Sequence, residues 1–168
     1  LTGMNQKVGN FPGVTVDKKT GATRIHADLQ ARITDLPGTY SLYPKSMDEY
    51  VAYEVLLNPQ SKDRPDLILV IADAANLKRS LLFCSQIIDL KTPVILVLTM
   101  MDIARKKGID VDIPGLEREL GIPVVAVNPR KNKGLANVKK AIEELHAKPY
   151  YPLNDFIELA PEVRNILN

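Results

Sequence analysis

The sequence predicts an α/β domain built on a mostly parallel sheet with helices on both faces. Three observations carry that expectation. Short, continuously apolar, β-branched runs alternate with segments whose apolar residues recur at three and four residues. Gly, Pro and Asp stand at the joins in a repeating order. The 168 residues are 45% hydrophobic and 5% aromatic, the composition of one ordinary domain. A chain of that length buries roughly 70% of the surface its unfolded form exposes, so its core needs no disulfide or structural metal. The single Cys84 excludes a disulfide framework within the chain and fits a reducing compartment.

The elements follow in order. Val14-Thr15-Val16 reads as extended, Lys19-Thr20-Gly21 as a turn, and Leu29, Ala31 and Ile33 alternate with Gln30 and Arg32, so a hairpin opens the domain. The runs 67–72, 94–98 and 124–127 read as central strands buried on both faces. Between and after them, residues 47–57, 77–90, 113–120 and 135–145 read as amphipathic helices. Asp48 and Glu49 favour the positive end of the first, and Asn76 is placed to cap the second. Pro114 fits the first turn of the third and Gly121 its end. From Pro149 the composition shifts to Tyr150, Tyr151 and Pro152, followed by a helical pattern over 161–167. We expect one domain over 1–148, then a linker and the start of a further element over 149–168. With no initiator Met and no signal-peptide stretch, the chain reads as cut from something longer.

Several function classes fall away. The balance of 22 Lys+Arg against 20 Asp+Glu, net +2, gives no reason to expect nucleic acid as a partner. The basic run Arg105-Lys106-Lys107 reads as a solvated helix end beside a turn glycine. No run of 18 apolar residues occurs, so these residues do not themselves cross a membrane. His26 and His146 lack metal-ligand spacing, and Cys84 beside Phe83 reads as a packed apolar group. Tyr40, Tyr43, Tyr50 and Tyr53 cluster in sequence, either as packing or as a relay of motion.

In a parallel sheet the ligand sits at the carboxyl ends of the strands, so the residues just after each apolar run carry the chemistry. Thr34-Asp35-Leu36-Pro37-Gly38 follows the first alternating strand: Asp35 suits a magnesium-bound water and the Gly38 amide a terminal phosphate. Thr99-Met100-Met101-Asp102 follows 94–98, and the Asp102 carboxylate can accept two hydrogen bonds from a guanine edge, for which adenine has no matching donors. Asn128-Pro129-Arg130-Lys131 stands where a loop would close over a base. Taken singly, Asp35 reads equally as a turn residue and Asp102 as a helix or turn cap. Their order and shared location are what raise them above chance.

The stretch Val8-Gly9-Asn10-Phe11-Pro12-Gly13-Val14-Thr15-Val16-Asp17-Lys18, with Asp35-Leu36-Pro37-Gly38-Thr39-Tyr40-Ser41-Leu42, resembles the cytoplasmic GTP-binding domain of the ferrous iron transport protein B (FeoB) family. The likeness continues through Asp73-Ala74-Ala75-Asn76-Leu77, Thr99-Met100-Met101-Asp102 and the tail from Asn154 to Leu167. It implies a Ras-like P-loop NTPase (G domain) fold binding GTP or GDP with Mg2+. Thr15 matches the first-switch threonine that meets magnesium in the triphosphate state, and Asp35 and Gly38 match the second switch, with Asp35 near magnesium through water. Thr99, Met100 and Asp102 match the guanine motif, and Asn128, Pro129 and Arg130 the loop over the base. A K+ ion that assists hydrolysis in this family would fall near the backbone of Gly9 and Phe11. The resemblance also implies a cytoplasmic domain of an inner-membrane protein. Its partners are then guanine nucleotide and the helical and membrane domains of the same parent, with an oligomer of the parent left open.

The departures are equally specific. No G-x-x-x-x-G-K-[ST] occurs in the 168 residues, and the family carries it immediately before the point where they begin. The first strand and P-loop are therefore expected to be absent from this chain, leaving weak nucleotide binding, negligible turnover and GTPase activity in the parent alone. Thr99 stands where the usual motif has Asn, and its hydroxyl reaches less far. Met100 stands where many GTPases carry Lys, and a thioether can supply the same apolar contact. Thr39 stands where Ras-like GTPases orient water with Gln, so no catalytic side chain is named. The rival reading is a nucleotide-free GTPase-like interaction module. The missing phosphate loop favours it, and the retained Thr15, Asp35, Gly38 and Asp102 oppose it. A dinucleotide oxidoreductase would need G-x-G-x-x-G, which is absent.

Overall fold

The computed structural model describes residues 6–10, 17–36, 46–58 and 60–156. Among these, β1 (Gln6–Asn10), β2 (Asp17–His26) and β3 (Leu29–Asp35) form an antiparallel sheet in the order β1-β2-β3. A second sheet, β4 (Ile68–Asp73), β5 (Val94–Thr99) and β6 (Val124–Ala126), is parallel throughout in the order β4-β5-β6. The helices are α1 (Met47–Leu57), α2 (Leu77–Ile88), α3 (Met101–Lys106), α4 (Ile113–Leu120) and α5 (Leu135–Ala147).

The opening hairpin turns at a different place from the one expected. Lys19, Thr20 and Gly21 lie inside β2, where Gly21 faces Ile33 of β3, and the turn is made by Ala27 and Asp28. The reason is periodicity: Gly21, Thr23 and Ile25 are buried and alternate with exposed Ala22, Arg24 and His26. That pattern specifies one strand face and outweighs the single glycine as a turn signal. Val14, Thr15 and Val16 lie outside the described residues.

Burial of the parallel strands also needs correcting. Only β5 is covered on both faces, its residues Val94 to Leu98 each at most 3% exposed. In β4, Val70 and Ala72 are buried, whereas Ile71 on the opposite face is 62% exposed. On that face the cluster built around α5 takes in Leu69 of β4 but does not reach Ile71. The short β6 buries Val124 and leaves Val125 and Ala126 half-buried.

The helices cover both faces of this sheet. On one, Cys84, Ile87 and Ile88 of α2 and Leu120 of α4 pack with Val70, Ala72, Leu96 and Leu98. On the other, Val138, Ala141 and Leu145 of α5 pack with Ile95, Val97 and Val127. Pro114 lies in the first turn of α4, and Gly121 ends it in the left-handed region at φ 66°, as the sequence predicts. Asn76 precedes α2 but makes no capping bond with its side chain. That work falls to Asp73, whose carboxylate accepts from the Ala75 amide at 2.8 Å and opens a 3-10 turn over Ala74–Asn76. Arg105, Lys106 and Lys107 are exposed at the end of α3, ahead of Gly108 at φ 73°. Tyr50 and Tyr53 of α1 stack on one another at 6.2 Å, and Tyr50 donates to Glu54, which raises the phenol pKa above its ordinary value. Tyr40 and Tyr43 lie outside the described residues.

Residues 151–156 form neither helix nor strand, yet they lie against the ends of α2 and α4. Pro152 is fully buried. Lys91 donates to the Asn154 carbonyl at 2.6 Å and pairs with Asp155 at 2.7 Å. The Asn154 side chain donates to the Glu119 carbonyl and the Phe156 amide to Asp89, each at 2.9 Å. Among the described residues no helix is long and apolar enough to cross a membrane. The helical pattern over 161–167 lies outside them.

Candidate functional site

Parallel pairing aligns the carboxyl ends of the second sheet, since Asp73 stands opposite Thr99 and Leu98 opposite Ala126. Three loops therefore leave the sheet along one rim, at the place where open α/β sheets bind ligands.

The β4 loop is the Asp73-capped turn, which packs against α3. The β5 loop is a single residue. Thr99 donates its hydroxyl proton to the Ala72 carbonyl at 3.1 Å, and Met100 then takes a left-handed conformation at φ 56° and ψ 26°. The Met100 carbonyl accepts from the Ile103 and Ala104 amides, both at 3.0 Å, which starts α3 at once. Asp102 falls in the first turn of α3. Its carboxylate is exposed and has no hydrogen bond or ion pair among the described residues. Met100, 43% exposed, lies beside it with its thioether chain open to a flat apolar partner.

The β6 loop is the most constrained. Val127 donates to the Leu98 carbonyl at 2.8 Å, and Asn128 and Lys133 exchange backbone bonds at 2.9 and 3.1 Å. Inside that loop the Asn128 side chain accepts from the Lys131 amide at 3.2 Å, capping a 3-10 turn over Pro129–Lys131. Gly134 closes the loop at φ 85°, where a β-carbon would collide with the Ala126 carbonyl oxygen and lie 3.0 Å from the Val127 Cα. Pro129 and Arg130 stand exposed on the outer side.

The structure thus brings Thr99, Met100, Asp102, Asn128, Pro129 and Arg130 to one rim, on loops that leave adjacent strands. Asp35 is exposed at the end of β3, in the other sheet. Gly9 lies in β1, while Thr15, Gly38, Thr39 and Phe11 lie outside the described residues. A free carboxylate with two acceptor oxygens, an apolar side chain beside it and a rigid polar loop on the next strand can together hold a planar base that presents two donors. Asp35 presents an exposed carboxylate, a hard oxygen donor of the kind divalent cations take. No group of three metal-ligating side chains occurs among the described residues.

Sequence reasoning missed Gly134 and the Thr99–Ala72 bond. The first had a signal, a glycine directly after the Asn-Lys turn of residues 132 and 133. The second had none, because which carbonyl Thr99 meets depends on strand order. A groove of about 370 Å3 lined by Leu77, Val111, Asp112, Leu116 and Arg118 among others holds none of the expected site residues.

Residues 1–142 match the family described as ferrous iron transport protein B. The chain is similar to the Fe(2+) transporter FeoB of Leptospira biflexa, 43% identical over 144 residues, which is 86% of this chain and 20% of that protein. It is also similar to the Fe(2+) transporter FeoB of Escherichia coli K12, 37% identical over 172 aligned residues, covering 100% of this chain and 21% of that one. The chain therefore spans about a fifth of the length of these curated relatives. Among solved structures, the cytosolic domain of the T. maritima FeoB iron transporter in a GDP form superposes with a TM-score of 0.86 at 36% identity, over 98% of this chain and 63% of that one.

Proposed function

The chain belongs to the ferrous iron transport protein B family, and we propose that its rim of strand ends is the base-binding half of a guanine-nucleotide site that regulates ferrous iron uptake by the transporter carrying it. The observation that carries this reading is Asp102, a carboxylate left exposed and, among the described residues, unpartnered beside left-handed Met100. In this reading its two oxygens accept the N1 hydrogen and the 2-amino group of guanine. Adenine presents no such pair of donors, so the same carboxylate discriminates between them. Met100 packs on the base, and the loop of Asn128, Pro129 and Arg130 covers it. The crystallised T. maritima neighbour is described in a GDP form, which supports the same ligand here.

The phosphate end is held by other parts. By the family resemblance, Thr15 and Asp35 would hold Mg2+, Asp35 through water, and the Gly38 amide would face the terminal phosphate. A K+ ion assisting hydrolysis would fall near the backbone of Gly9 and Phe11. Hydrolysis then releases the two switch segments, and that change passes through the cytosolic helical domain to a membrane domain whose substrate is ferrous iron.

The 168 residues contain no G-x-x-x-x-G-K-[ST], so by themselves they supply few of the amides that wrap the β-phosphate. The test is titration of fluorescent GDP and ADP in Mg2+ and K+, on the 168-residue chain and on the transporter polypeptide that carries it. The account expects weak binding by the chain, and micromolar or tighter binding of guanine but not adenine nucleotide by the transporter. Binding of neither by the transporter would leave a nucleotide-free interaction module as the better reading, and equal binding of the two would contradict guanine discrimination by Asp102.

A further inference from the structure

Thr99 ends β5, and its hydroxyl donates to the Ala72 carbonyl of the neighbouring strand at 3.1 Å. Asp73 stands opposite Thr99 in the parallel register, so this bond lies at the last rung of the ladder, where strand pairing stops. Directly beyond it Met100 is left-handed at φ 56°, a conformation that a residue with a β-carbon keeps only when its surroundings hold it. The Met100 carbonyl then fixes the Ile103 and Ala104 amides, and Asp102 sits between these anchors. On the other strand Asp73 caps the turn that packs against α3. The Thr99 hydroxyl therefore ties together two strand ends whose loops touch.

A hydroxyl has one proton to give, and this one is committed to Ala72. The O6 and N7 atoms of guanine are acceptors, so Thr99 keeps no donor for either. We propose that Thr99 is a positioning residue for base recognition: it anchors the Met100 turn, and through it the Asp102 carboxylate, without touching the purine. The proposal rests on the guanine reading above and changes the role that the usual motif residue would take.

Two measurements test it, each on unaltered protein, Thr99→Ser and Thr99→Val, with Thr99→Ala replacing the valine variant if that does not fold. In the 168-residue chain, hydrogen exchange at the Ile103 and Ala104 amides should rise several-fold in Thr99→Val and return to within about twofold of the original in Thr99→Ser, as for loss and recovery of one hydrogen bond. In the transporter that carries the chain, Thr99→Val should weaken GDP and 7-deaza-GDP by the same factor, about fivefold. Thr99→Ser should restore both. Unchanged exchange at residues 103 and 104 would overturn the proposal. So would a loss that vanishes with the analogue lacking N7, since that would put the hydroxyl on the base. Equal affinity of the unaltered transporter for GDP and ADP would overturn the guanine reading itself, and the proposal with it.

Discussion

Gly134 and Ala126 meet backbone to backbone: a β-carbon on Gly134 would run into the Ala126 carbonyl oxygen, with the Val127 Cα of the same peptide unit 3.0 Å away. Neither neighbour is a flexible side chain that could swing clear. The glycine also sits at φ 85°, so two independent penalties fall on any other residue there.

Gly134→Ala should therefore destabilise the chain by roughly 2–4 kcal/mol, read as a lower urea midpoint. Gly108 is the control, because its φ of 73° carries the conformational penalty but nothing lies within 4 Å of an added β-carbon. Gly108→Ala should cost only about 1–2 kcal/mol. Equal losses in the two variants would show that the close approach to Ala126 does not constrain the loop.

The segment ending at residue 156 should behave as a docked strap. Lys91 and Asp155 are 41% and 61% exposed, so their ion pair alone contributes less than about 1 kcal/mol and weakens with salt. The buried Pro152 and the bonds from Asn154 and Phe156 add to it. Hydrogen exchange should find the Phe156 amide protected, and Lys91→Ala together with Asn154→Ala should raise its exchange about tenfold with little change in global melting. An amide that exchanges freely in the unaltered chain would count against docking.

Cys84 is fully buried between α2 and the sheet, and burial pushes its thiol up to about 12 from an ordinary value of 9.0. The folded chain should resist iodoacetamide at pH 8 and react only on unfolding. Because the folded pKa is raised, the stabilising effect is complete below about pH 9 and is lost as pH climbs toward 12, where the unfolded chain releases its proton first. The pH dependence of the urea midpoint above pH 9 should be shallower in Cys84→Ala. Identical slopes would show that the thiol does not take part.

What the sequence made legible were features with local physical signatures. The continuously apolar 94–98 run is the covered strand it reads as, and Pro114 with Gly121 bracketed α4 to the residue. Asp102 gained weight only from its place in order among three strand-end signals on the ligand rim of a parallel sheet. What escaped were features fixed by long-range pairing. The turn at Ala27 and Asp28 was hidden by the stronger glycine signal at Gly21, which β2 absorbs because both of its neighbours pair through it. The exposure of Ile71 depends on how far the α5 cluster reaches across that face of β4, which no run of residues 67–72 can encode. The capping role passed from Asn76 to Asp73 because a 3-10 turn precedes α2, and that turn begins three residues earlier.

The most direct test of the account replaces Asp102 by Asn in the transporter that carries this chain and compares GDP with XDP. An amide offers one donor and one acceptor where the carboxylate offers two acceptors, which suits the N1–H and C2 carbonyl of xanthine and not the two donors of guanine. The account predicts that Asp102→Asn lowers GDP affinity roughly a hundredfold and gains XDP binding of the order that GDP had before. Unchanged GDP binding, or loss of GDP with no gain of XDP, would contradict the claim that Asp102 reads the base.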